Sequence, residues 1–170
     1  MKKILVVSDL HGEIGLERLK TVFIREAGAD ILFCCGDLEI SEHDVWEAAR
    51  GAQCFIVCGN CDFFTQLPQE IEMRVEDVRF WMVHGDRYGV RQTTAALFEE
   101  GNRRDANVVL FGHTHIPLLE DCRAKSGEKG SVRYIVNPGS LGRPYQKSRK
   151  SSYSVIEVDG AKMTVQMKEL

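Results

Sequence analysis

The stretch ILVVSDLH, Ile4 to His11, decides the fold. Its four leading residues are apolar and mostly β-branched, and Ser8 stops them. A run this short, bounded this way, predicts a strand buried on both faces. Beyond the stop stand Asp9 and His11, two side chains able to hold a metal. The same arrangement recurs four times. ILFCCGD ends at Asp37, FIVCGN at Asn60, FWMVHGD at His84, and VVLFGHTH at His113 and His115. In an open α/β sheet, ligands bind beyond the carboxyl ends of the strands. Seven donors can therefore meet in one place.

The intervening chain supports α/β layering. In GLERLKTVFIREAGAD, Leu16, Leu19, Val22, Phe23 and Ala27 fall at helical spacing, and Gly28 suits the helix end. SEHDVWEAARGA predicts a short helix with Ser41 as its cap and Gly51 as its stop. IEMRVEDVRFWMVHGD alternates about Glu76-Asp77 as a hairpin does. TTAALFEEGNRRD predicts a third helix, with Gly101 near its end. PLLEDC, VRYIVNPGS, YSVIEVDG and KMTVQMKE predict short antiparallel strands. Strand-helix alternation followed by a strand-rich half predicts two packed sheets flanked by helices.

At 170 residues, with 44% hydrophobic and 28% charged side chains, the chain fits one soluble domain spanning 1–170. The formal charge of −3 gives no basic field to draw it to nucleic acid or membrane. The apolar run Ile4 to Val7 is too short for a signal peptide, and no segment is long enough to span a bilayer. A cytoplasmic protein is expected, with its six cysteines reduced and Cys34 and Cys54 packed as small hydrophobes.

Each strand-end element alone has a plain reading. Asp-x-His, Gly-Asp and Gly-Asn are turn signals, and a lone His84 can be a hydrogen-bonded structural residue. His43, at a helix start, reads as an exposed polar side chain. Cys58 and Cys61 form C-x-x-C, yet a redox dithiol leaves the other strand ends unexplained. Taken together, two Asp, one Asn and four His are a mixed oxygen and nitrogen donor set without thiolate. That suits Mn²⁺, Fe²⁺, Zn²⁺, Co²⁺ or Ni²⁺. Seven side chains are too many for one tetrahedral zinc and suit two metals sharing a carboxylate.

The blocks DLH, GD, GNCD, HG, GHTH and NPGS resemble the signature of the calcineurin-like metallophosphoesterases, and among them the small bacterial and archaeal phosphodiesterases. The resemblance implies a four-layer α/β/β/α sandwich of two mixed sheets. It implies two divalent ions, Mn²⁺ foremost, with Asp9, His11 and His115 on one, Asn60, His84 and His113 on the other, and Asp37 bridging. A metal-bridging hydroxide would attack the phosphorus of a small phosphodiester in line. Phosphomonoester hydrolysis and a non-catalytic protein-binding scaffold are the alternatives.

One departure matters. Cys61 stands where many relatives carry a His that assists the leaving group, and a thiol is the poorer proton donor. Asp62 beside it reads equally as an orienting carboxylate or a turn residue. Asp86 and Arg87 are candidates for the substrate mouth or for surface ion pairs. In GRPYQKSRK, Arg143 is the best candidate phosphate contact, while Lys147, Arg149 and Lys150 read as a solvated charge run. Exposed sheet edges would allow self-association.

Overall fold

A computed structural model describes residues 1–127, 130–145 and 150–170. Lys147 and Arg149 of the basic run lie outside the described residues. In chain order the elements are β1 (Lys2–Val7), α1 (Glu13–Arg25), β2 (Ile31–Cys34), α2 (Glu42–Ala48), β3 (Gln53–Ile56), β4 (Glu70–Val75), β5 (Val78–Val83), α3 (Ala95–Arg103), β6 (Val108–Leu110), β7 (Leu118–Asp121), α4 (Arg123–Ser126), β8 (Tyr134–Asn137), β9 (Ser152–Asp159) and β10 (Lys162–Glu169). Among these residues the strands form two five-stranded sheets, ordered β10-β9-β1-β2-β3 and β4-β5-β6-β8-β7.

Period-two burial explains the layers. In β1, Leu5 and Val7 face a core shared with Leu16, Leu19, Val22 and Phe23 of α1 and Val45 of α2. Ile4 and Val6 face the opposite way, into a core between the sheets that includes Phe33, Phe80, Met82, Val108 and Ile156. In β5, Phe80 and Met82 join that central core, while Trp81 and Val83 pack outward with Leu97 of α3. Both faces of each sheet are thus covered, and the layers run α/β/β/α. This is why the strands of the stretch Ile4 to Val7 and its counterparts read as unbroken apolar runs rather than alternating ones.

The short helix α2 starts as its sequence predicts, with Ser41 Oγ accepting from the backbone N–H of Asp44 at 3.3 Å. The hairpin of β4 and β5 turns at Glu76-Asp77. Gly101 stands near the end of α3 as its sequence predicts, and it is buried where an added Cβ would approach Val109 Cγ2 to 2.7 Å, so its smallness seats the helix on β6. One expectation needs correction. The late strands are not all antiparallel: β8 lies between β7 and β6 and pairs antiparallel with the first but parallel with the second. His43 is exposed, 3.6 Å from Glu47, as expected of a surface residue. Among the described residues no helix is long and apolar enough to cross a membrane.

The end of α1 is tied to the far edge of its sheet by one carboxylate. Glu26 accepts from Tyr153 Oη at 2.7 Å and from Lys168 Nζ at 2.9 Å, with Lys3 Nζ at 3.4 Å. Burial favours its neutral form, but these hydrogen bonds and the nearby lysine charges outweigh that and hold its pKa below the ordinary 4.5. A depressed carboxyl pKa adds stability above the unfolded value, and that stability fades as pH falls through the folded value. Glu26→Gln should therefore lower stability by about 1–3 kcal/mol at pH 7. The deficit should shrink steadily below pH 4.5 in urea melts. A deficit that is constant with pH would contradict the charged network.

Candidate metal centre

Every predicted donor lies past a strand end, and five of the seven are held in an unusual backbone conformation. Asp9, His11, Asp37, His113 and His115 have φ between 48 and 66°. This left-handed region disfavours L-residues, though Asp and His enter it more readily than most. Such strain persists only where surroundings over-determine it, and here they do. The loop after β1 remains paired with the loop after β2 through Asp9 N to Gly36 O, 2.9 Å, and His11 N to Asp37 O, 3.0 Å. Glycines let the loops close: a Cβ on Gly59 would lie 2.1 Å from Asp37 Oδ1, and one on Gly112 would lie 1.9 Å from Ser8 Oγ.

Asp62 pins this arrangement. Its carboxylate accepts from the backbone N–H groups of Asp37 (2.8 Å), Leu38 (2.7 Å), Glu39 (3.1 Å) and Gly59 (2.8 Å). These bonds fix the backbone that carries Asp37. Cys61 contributes its backbone N–H to Asp37 Oδ1 at 2.7 Å. Cys58, expected as strand packing, lies beyond β3 and lines a cleft of about 550 Å³ with Asn60, His84, Asp86 and Arg87.

The histidine tautomers follow from what each ring touches. His11 Nδ1 lies 2.6 Å from Glu39 Oε2, His84 Nδ1 2.7 Å from Cys35 O, and His115 Nδ1 2.6 Å from Arg143 O. All three partners are acceptors, so Nδ1 carries the proton and Nε2 turns inward. His11 Nε2 and His115 Nε2 then face each other at 3.1 Å, with Asp9 Oδ1 3.2 Å from His115 Nε2. Asp9 is fully buried and its Oδ1 has no hydrogen-bond donor. Donor atoms of Asp9, His11, Asp37 and His115 all lie within 4.8 Å of one another.

A second group adjoins the first. His84 Nε2 is 3.3 Å from Asp37 Oδ2 and 3.1 Å from Asn60 Oδ1, and His113 Nδ1 is 2.9 Å from Asn60 Oδ1. His113 is turned the other way from the rest, its Nε2 receiving Arg91 Nε at 3.0 Å. All seven predicted residues are therefore brought together, and Asp37 reaches both groups.

The donors fit a cation. Facing imidazole lone pairs beside an orphaned buried carboxylate oxygen repel one another unless positive charge lies between them. Without a metal, protons supply part of it. Burial works against charge on His84, but its hydrogen bond to Asp37 and the Asp9 and Asp37 charges raise its pKa to about 9. Burial likewise opposes ionisation of Asp37, and the His84 contact overrides it to hold the pKa near about 2. The His115 pKa is raised mainly by its contact with Asp9.

Several contributors escaped the sequence reading. Glu39 holds His11, and Arg91 meets His113, although neither stands in a recurrent block. Glu39 sits two residues after Asp37, which was the only available signal. Arg143 holds His115 through its backbone oxygen, while its guanidinium lies 3.3 Å from Glu39.

Asp62→Ala strips four backbone N–H groups of their acceptor. We expect about 2–4 kcal/mol lost from stability and metal affinity about 10- to 100-fold weaker, read by melting curves and chelator competition. Unchanged affinity would reduce Asp62 to a turn residue.

Comparisons with known proteins agree with this geometry. Residues 1–161 match the model of the calcineurin-like phosphoesterase superfamily domain. The chain is 30% identical over 164 residues to "Probable metallophosphoesterase YsnB" of Bacillus subtilis (strain 168), covering 95% of this chain and 88% of that one. It is 26% identical to "Phosphodiesterase YfcE" of Escherichia coli (strain K12), covering 94% and 89%. Among solved structures, a predicted phosphoesterase from Streptococcus pneumoniae TIGR4 superposes with a TM-score of 0.79 at 24% identity, covering 99% and 89%. Vps29 from Entamoeba histolytica, complexed with Zn²⁺, superposes with a TM-score of 0.73 at 20% identity, covering 99% and 98%. These two show a shared fold. With nearly the whole chain matched and the strand-end donors gathered at one point, the protein belongs to the calcineurin-like phosphoesterase superfamily.

Proposed function

We infer that the chain is a phosphodiesterase working with two divalent cations. One would be held by Asp9, His11 and His115, the other by Asn60, His84 and His113, with Asp37 shared. The observation that carries this reading is the pair of inward-facing donor groups meeting at one carboxylate. Bound there, the cations would lower the pKa of a water molecule and neutralise charge developing on phosphorus. The donor set favours Mn²⁺, with Zn²⁺, Fe²⁺, Ni²⁺ and Co²⁺ as alternatives. The relative named as a phosphodiesterase supports a diester substrate.

The chain's own residues do the rest. Glu39, Cys35 O and Arg143 O keep three imidazoles in the ligating tautomer. The exposed guanidiniums of Arg91 and Arg143, on the His113 and His11 sides, offer positive charge to an anionic diester. Cys61 replaces an imidazole near the leaving group. Burial, and then the Asp37 charge, push its thiol pKa up to about 11. Near neutral pH it holds its proton and releases it reluctantly, so esters of acidic alcohols are favoured. Six free cysteines suit a cytoplasmic setting.

A second reading, a protein-binding scaffold, draws on the Vps29 likeness and on Ile116, Leu118 and Leu119, part-exposed at the β7 edge. The same surface could join two copies.

One assay separates these readings. Protein stripped of metal and resupplied with Mn²⁺, Ni²⁺ or Zn²⁺ should hydrolyse bis(p-nitrophenyl) phosphate faster than p-nitrophenyl phosphate. Folded, metal-loaded protein without turnover favours the scaffold, and a preference for the monoester favours a phosphomonoesterase. In the same assay Cys61→His should flatten the dependence of rate on leaving-group pKa across substituted phenyl esters. An unchanged slope removes Cys61 from the leaving-group step.

A further inference from the structure

Beside the metal centre lies a cleft of about 530 Å³ whose purpose the site described so far does not explain. Leu38, Ile40 and Leu67 form its apolar lining, Glu39, Ser41 and Glu42 its polar edge, and Phe63 and Phe64 line it as well. Cys61 belongs to this cleft and also to the centre: its thiol, a Glu39 carboxylate oxygen and a His11 ring nitrogen lie within 4.8 Å of one another. The cleft therefore opens onto the His11 side of the centre.

The two phenylalanines belong to none of the three hydrophobic cores. Phe63 is 77% exposed and Phe64 is 106% exposed. Phe64 also has φ 60°, a conformation that bulky side chains avoid. The loop is held on both sides of them. Asp62 anchors it to the β2 loop, and Thr65 Oγ1 donates to Glu42 Oε1 at 2.9 Å. The rings are thus displayed by a rigid frame rather than left by a loose one. Strain and exposed aromatic surface, held in place beside a reaction centre, mark a binding element.

We propose that this cleft is a substrate subsite with a nucleoside as its occupant, the base resting on Phe63 and Phe64. The assignment rests on the phosphodiesterase reading and narrows its substrate class to nucleoside esters. The volume suits such a group. Aromatic faces accept any base by stacking. The edge carboxylates of Glu39 and Glu42 only accept hydrogen bonds, so they welcome base N–H groups and repel further phosphates. In the reaction, water adds its oxygen to phosphorus and the P–O bond to the other ester group, the more acidic alcohol, breaks. That alcohol departs with one proton of the water, leaving a nucleoside monophosphate in the cleft.

The test compares adenosine 5′-monophosphate with ribose 5-phosphate, which differ only in the base. Binding to the Mn²⁺-loaded protein is measured by calorimetry. We expect the nucleotide to bind about tenfold tighter. Phe63→Ala with Phe64→Ala should erase the difference while ribose 5-phosphate affinity, metal content and melting temperature stay unchanged. Phe64→Gly, which suits the positive φ, should lower the preference without backbone strain. Equal affinities in the unaltered protein would overturn the subsite, as would a preference that survives both substitutions. A change of oligomeric state in the double variant, with base preference intact, would instead make this face a protein contact. Turnover of bis(p-nitrophenyl) phosphate on the same preparation keeps the two ideas apart. Turnover without base preference rejects the subsite alone. A phenylalanine-dependent preference without turnover rejects the hydrolase and retains a nucleotide site.

Discussion

Two carboxylates, Asp9 and Asp37, are buried at the ends of adjacent parallel strands, and the rest of the molecule is arranged around that fact. An isolated buried carboxylate costs several kcal/mol in effective terms. Backbone N–H groups of His113 and Cys61 meet part of that cost. The remaining demand is for positive charge. Imidazole protons supply some of it in the metal-free protein, and the inward lone pairs are arranged so that cations can supply more. A site that is uncomfortable when empty is a site prepared for binding.

The sandwich makes such a site affordable. Strands apolar on both faces are fixed in register by two cores at once, so their ends cannot drift. β1 and β2 pair from Ile4 with Ile31 to Val7 with Cys34, and backbone bonds continue past the strand ends into the loops. That rigidity holds five donor residues in left-handed backbone. Asp62 then links the β3 loop to the β2 loop through three N–H groups. Without this link only the Cys61 N–H would tie the β3 loop, and Asn60 with it, to Asp37.

Much of this was legible in the sequence because buried strands leave short apolar runs and their stops are abrupt. The order of the blocks pointed to the layers, and the seven donors were all visible as strand-end residues. Other features were not legible. Glu39 and Arg91 reach donors 28 and 22 residues away, and local periodicity is silent about side-chain direction over such separations. Gly101 is legible as a residue near a helix end, but not as the packing contact with Val109 that it makes in three dimensions. β8 lies parallel to β6, and strand direction leaves no hydrophobic signature. The cleft beside Cys61 also needed the fold, since nothing in the sequence marks Phe63 and Phe64 as exposed.

The central claim is that Asp37 serves two cations at once. Electron paramagnetic resonance of the Mn²⁺-loaded protein, with metal counted on the same sample, tests it most directly. The account predicts two Mn²⁺ per chain with a spin-coupled spectrum, and in Asp37→Asn the coupling lost and occupancy reduced. A single uncoupled Mn²⁺ per chain, or two coupled ions undisturbed by Asp37→Asn, would contradict it.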